Sequence, residues 1–179
     1  MRKALLSSVV LVGAACPAVA EGIRGGRCML ATIGLAPGTV NSLTAAPGTI
    51  SFTAASPESG AVSGSSAATL NWSVLSGSHF QTWTVSVQAA ASSFTGCATV
   101  PVTAVSVACA SAAVGGGAGT GSCGGAFALS TVAQQVAGGA EGDGNQAYSV
   151  QINYTLAESW RYVANASCTL TLTYTVNAL

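Results

Sequence analysis

The residue types that could do chemistry are few in this chain, so each is weighed by what its spacing allows. Nucleophilic hydrolysis needs a base beside a nucleophile and a third group to orient the base. The chain has one histidine, His79 in "SGSHF", and the serine in "TGSCG", Ser122, lacks the first glycine of a nucleophile elbow. A solvated turn histidine accounts for His79, and no catalytic residue is assigned. Glu141 and Asp143 stand close together in a glycine-rich stretch, but no aromatic platform flanks them as a sugar-cleaving carboxylate pair would need. With Asn145 they form Glu-x-Asp-x-Asn, the alternating oxygen pattern that opens a calcium loop. Counting from Glu141, however, position twelve of such a loop is Ile152, which supplies no bidentate carboxylate. Glu141, Asp143 and Asn145 remain the only metal candidates, and no cofactor is expected. In "ESWRYVANAS", Trp160, Arg161 and Tyr162 lie outside strand alternation. Two aromatics and a guanidinium at a loop make a candidate recognition patch, against the alternative that Trp160 caps the core.

Six cysteines are the other reactive groups. Cys16 falls in the leader described below, leaving Cys28, Cys97, Cys109, Cys123 and Cys168. No Cys-x-x-Cys spacing and only one histidine disfavour a zinc site, so disulfides are expected. Cys109 ends the apolar run "VTAVSVA" and Cys123 opens "GGAFALS". If these are antiparallel neighbours, the two cysteines face each other across the loop base, within disulfide reach. Cys97 is the rival partner for Cys109. Cys168 is expected to join whichever of Cys28 and Cys97 lies at its end of the fold.

These groups need elements to position them. The chain begins with a basic "MRK", an apolar Ala4 to Ala15 and the small-x-small "AVA" at 18–20, which reads as a signal peptide over 1–20 with maturation at Glu21. The competing reading, lipidation of Cys16 in "GAAC", has Gly13 where a larger aliphatic belongs. Residues 21–179 then form a single domain, with 21–45 as an extended N-terminal segment. No later run is apolar and long enough for a membrane-spanning helix. After the leader, Arg24, Arg27 and Arg161 face Glu21, Glu58, Glu141, Asp143 and Glu158. That balance excludes a basic nucleic-acid footprint. The expected location is secreted, extracellular or at the cell surface, with the periplasm as a further compartment.

Period-two alternation recurs along this mature segment. Ile50 and Phe52 share one face, as do Leu70, Trp72 and Val74. Trp83, Val85 and Val87 follow the same rule, then Tyr148, Val150, Ile152, Tyr154 and Leu156, and finally Leu170, Leu172, Tyr174 and Val176. Serines and threonines fill most of the alternate positions, the pattern of half-buried strands. "APGT" at 36–39 and at 46–49 suits a type II turn. "SAAVGGGAGTGS" (111–122) and "GGAEGDGNQ" (138–146) read as loops. The pattern predicts an all-β fold: an antiparallel, immunoglobulin-like sandwich of about eight to ten strands, disulfide-bonded, with Phe94 as an inward plug and Pro101 at an edge or bulge.

"QTWTVSVQAAASSFTG" followed by "ATVPVTAVSV", a glycine-rich stretch and a closing "CTLTLTYTV" resembles the WxL-type surface domains of bacteria. Trp83-Thr84-Val85 stands at the first Trp-x-Leu motif, with Val for Leu, and Tyr174-Thr175-Val176 at the second, with Tyr for Trp. The resemblance runs from about Trp72 to the C-terminus. It implies a non-catalytic β-sandwich at the cell surface, in a family of which some members attach to peptidoglycan. Three functions follow as expectations. The first is a secreted structural or adhesive surface protein whose partner is cell-wall or surface polysaccharide. The second is a filament subunit whose partners are copies of itself, with the apolar stretch Ile23 to Val40 donated as a strand to a neighbour. The third is a carbohydrate-binding module built on Trp160 and Tyr162.

Overall fold

The computed structural model describes residues 8–9, 26–35, 40–53, 60–74, 82–115, 119–142, 146–159, 162 and 167–178. Strands dominate them, arranged as two facing sheets and a small hairpin. The first sheet holds β1 (Ser8–Val9), β2 (Gly26–Leu35), β4 (Thr49–Thr53), β7 (Thr82–Ala89), β11 (Ser122–Cys123), β13 (Gln134–Ala140) and β15 (Ser167–Ala178). Its order is β1-β2-β15-β7-β13-β11, with β4 also against β2. The second sheet holds β3 (Val40–Ala46), β5 (Ala61–Ser63), β6 (Ala68–Val74), β10 (Val105–Val114), β12 (Phe127–Ala128) and β14 (Gln146–Ala157). Its order is β12-β10-β14-β6-β3, with β5 continuing the β6 edge of β14. A hairpin of β8 (Ser93–Phe94) and β9 (Cys97–Pro101) stands beside β15.

The expected alternation decides which side of each strand is inside. On β7, Trp83, Val85, Val87 and Ala89 are buried while the residues between them reach solvent. On β14, every second residue from Gln146 to Leu156 is buried, and on β15 the same holds from Cys168 to Ala178. The two inner faces meet directly. The Trp72 and Trp83 rings, one from each sheet, lie edge to face with centroids 5.2 Å apart. Burying such side chains supplies about 25 cal/mol per Å² of apolar surface, the main force holding the sheets together. Phe94 is buried as expected, the hairpin plugging one end with Gly96 at φ 81° in its turn. Pro101 ends β9 at an exposed position, where its missing N–H breaks no ladder.

The sheets are antiparallel as expected, with one exception that alternation could not reveal. β2 runs parallel to β15, from Ser167 beside Gly26 to Val176 beside Leu35. Three local expectations need correction. The second "APGT" is not a type II turn, because Gly48 lacks the positive φ that such a turn demands; with a cis Ala46–Pro47 bond, it carries the chain from β3 in one sheet to β4 in the other. The first "APGT" lies outside the described residues. Residues 111–114 are not loop: after a bulge between Cys109 and Ser111, β10 continues against β14 as far as Val114 beside Tyr148. Nor are 138–140 loop, because they complete β13 against β7. Small residues, which by composition signal a loop, here allow close approach. A Cβ at Gly139 would run into the Thr120 carbonyl, and one at Gly121 would lie 2.6 Å from the Ala112 oxygen.

Candidate functional site

Of the metal candidates, Glu141 is described, just after β13, while Asp143 and Asn145 lie outside the described residues. Glu141 is half-buried, its Oε1 is enclosed without a hydrogen-bond partner among the described residues, and burial raises its carboxyl above the usual range. Among the described residues, no three His, Cys, Asp or Glu side chains converge as a metal set. Of the recognition patch, Trp160 and Arg161 lie outside the described residues, as does His79. Tyr162 is half-buried and packs against the core.

Among the described residues the cysteines are brought together in two bonds, Cys97–Cys168 and Cys109–Cys123, with Cα atoms 5.4 and 5.3 Å apart. The Cys109–Cys123 pair is the expected one, but the path differs. Cys109 sits on β10 of the second sheet, while Cys123 sits on β11 of the first, opposite Ala137 of β13. Within "GGAFALS" it is β12, not β11, that pairs antiparallel with β10, at Ser106 and Val107. The bond therefore ties sheet to sheet at the sandwich edge and does not close a hairpin. Cys168 chooses Cys97, and the bond fastens the hairpin to the start of β15. Thr95 and Thr169 exchange backbone bonds of 2.8 and 3.0 Å beside it. Cys28 lies in β2, at the register position beside Thr169 and opposite Ser51.

The feature that sequence reading missed is the aromatic end of the sandwich. Trp72 stacks on Tyr148 with centroids 5.4 Å apart, and Trp83 meets that pair edge-on. Trp83 Nε1 donates to the Thr120 carbonyl at 3.1 Å, so the glycine-rich chain after β10 lies over the indole. Trp72 Nε1 is enclosed with no acceptor among the described residues. The Tyr148 hydroxyl accepts from the Gly142 N–H at 3.3 Å. Farther along the core, Tyr154 and Tyr174 share a hydroxyl–hydroxyl bond of 2.6 Å between the sheets. Burial pushes both phenols well above the ordinary tyrosine range. The strand alternation places all five rings inside, but no spacing in the sequence says which ring meets which.

On the second sheet, a groove of about 360 Å³ is lined by Thr44, Asn71, Ser73 and Ser149, by Trp72, Val114 and Tyr148, and by Ala113, Gly115 and Ala147. Register explains it. Asn71 pairs with Ser149 and Ser73 with Ala147, the outward positions on either side of buried Trp72 and Tyr148. The lining has no carboxylate, imidazole or amine. Its exposed surface is mostly apolar, with a few hydroxyls and one amide placed for hydrogen bonding. No family model and no curated protein matches the chain.

Proposed function

We propose that the chain is exported and acts outside the cell as a non-catalytic structural or adhesive surface protein, in keeping with its WxL-like resemblance. The observation that carries this reading is the placing of the two disulfides. One ties the sheets together at an edge and the other anchors the end hairpin to β15. Such bonds persist in oxidising compartments, where a fold receives no help from cytosolic repair. The outward positions of β14 and β15, meanwhile, are mostly Ser, Thr, Gln and Asn. Expression of the whole chain in a bacterial host, followed by fractionation and protease shaving of intact cells, tests the reading. A mature chain beginning at Glu21 in the surface or medium fraction, with both disulfides formed, is expected. An uncleaved chain held in the cytoplasm with reduced thiols would overturn it.

The parallel β2–β15 pair favours a second reading, a filament subunit assembled by strand donation. β2 lies within the apolar stretch expected to act as a donor and borders β15 over ten register pairs. Electron microscopy of the exported protein checks this reading. Fibres of uniform width support it, and monodisperse single particles at high concentration count against it.

A further inference from the structure

We infer that β2 is exchanged between copies: Gly26–Leu35 of one chain fills the place between β15 and β4 of the next. This rests on the filament reading above and specifies its donor, its acceptor and its strand direction.

Each wall of the acceptor has anchors besides β2. On one side, β15 is paired with β7 from Leu172 to Ala178 and fixed at its start by the Cys97–Cys168 bond. On the other, β4 keeps Ile50 and Phe52 in the core, and its Ser51 is bonded twice to Ser65, at 2.9 and 3.1 Å. Removing β2 leaves β15 in its sheet and leaves β4, whose one strand partner among the described residues is β2, held by its core side chains and its Ser65 bonds; the gap is about two strand spacings, roughly 9.6 Å, which one added strand closes. An empty gap would uncover the flank of the core beside Leu170, Leu172 and Tyr174, so some copy of β2 must occupy it.

The donor is separable from the acceptor walls. β15, β4 and, at Ile33 and Gly34, β1 meet it through backbone pairing, the kind of contact that any copy of the same strand can make. On its C-terminal side only residues 36–39, "APGT", precede β3 in the opposite sheet. Pairing within a chain and between chains uses the same ten register positions, so exchange needs no new surface. Four residues reach at most about 14 Å, which holds donor and acceptor bodies against each other. Because the donated strand and the acceptor gap are different surfaces, each copy can give to one neighbour and receive from another. Repetition of that heterologous contact builds a filament.

Thr32 of β2 lies beside Thr173 of β15. In the test, chains carrying Thr32→Cys and chains carrying Thr173→Cys are exported together, then treated with a short bismaleimide. The doubly substituted chain and the neighbouring pair Leu30→Cys with Thr171→Cys serve as controls for folding and reach. Exchange predicts a bridge from position 32 of one chain to position 173 of another, a doubling of apparent mass on a denaturing gel. Bridging confined to single chains in the doubly substituted variants, with none in the mixture, overturns the inference. Uniform fibres without the interchain bridge would retire β2 exchange and leave the filament reading standing. The bridge in closed dimers without fibres would establish exchange and retire the filament.

Discussion

The two ends of the sandwich are closed by different means. At one end, the buried rings of Trp72, Trp83 and Tyr148 are covered by a glycine-rich chain that fits only because Gly121 and Gly139 lack side chains. At the other, the β8–β9 hairpin brings Phe94 into the core and is locked to β15 by Cys97–Cys168. The aromatic end leaves enclosed polar atoms without partners among the described residues, Trp72 Nε1 and Glu141 Oε1. Between the two ends, the Tyr154 and Tyr174 hydroxyls satisfy each other. The contrast teaches that ring packing closes the first end, with the Cys109–Cys123 bond stapling the chain two residues beyond Gly121, while at the second end the bond holds the plugging hairpin itself. The first should therefore respond most to changes of shape, and the second to reduction.

The largest expected effect is at the aromatic end. Trp83→Ala removes two ring contacts and the bond to Thr120 and should cost about 5 kcal/mol, the upper part of the usual range for such truncations. That is enough to unfold a domain of ordinary stability. A melting temperature unchanged by this substitution would break the comparison, because the indole would then not be structural.

Replacing both Cys97 and Cys168 by Ser should cost about 4 kcal/mol, since their bond closes a separation of 71 residues in the unfolded chain. The same change at Cys109 and Cys123, 14 residues apart, should cost about 3 kcal/mol. Denaturant melts of the two double variants rank the bonds. The reverse order would mean that the edge staple, and not the hairpin lock, is the stronger closure.

Tyr154→Phe strands the Tyr174 hydroxyl in a dry core and should cost about 2 kcal/mol, whereas changing both to Phe should recover much of that loss. The pair also sets an alkaline limit. Both phenols have raised folded values, so their contribution is intact below the unfolded tyrosine pKa of about 10 and is lost as pH rises toward the folded values. Alkaline unfolding should move to higher pH in the doubly substituted protein. A double-mutant cycle with no coupling energy would show that the two hydroxyls do not act as a pair.

The smallest effect is at Glu141. Burial raises its carboxyl, so the folded state favours the protonated form. That contribution is present below the unfolded glutamate pKa of about 4.3 and is lost as pH rises through the folded value. Glu141→Gln should therefore raise the melting temperature slightly at neutral pH and leave it unchanged in acid. A lower melting temperature at neutral pH would mean that the carboxylate has a favourable role at this end.

Much of the strand pattern is legible in the sequence because a strand with one wet face must alternate. Ile50, Phe52, Trp72, Trp83, Ile152, Leu170 and Tyr174 are read as inside and are buried. The glycine-rich stretches are misread, since composition does not distinguish a glycine that frees the backbone from one that lets two backbones touch. At the candidate sites, the Cys109–Cys123 pair is expected from two strands read as antiparallel neighbours, with Cys97 left as the rival, whereas the geometry that forms it is between sheets and not within a hairpin.

The sequence by itself determined an all-β chain, which side of each strand is buried, and the residues that supply its disulfides, because side-chain period and thiol chemistry are local properties. Only the tertiary structure decided that β2 lies parallel to β15, that Cys168 takes Cys97, and that Tyr154 meets Tyr174 across the core. Each of these joins residues far apart in the chain. Their meeting depends on the order in which strands enter the two sheets, and that order is fixed by how the whole set of apolar faces can be buried at once.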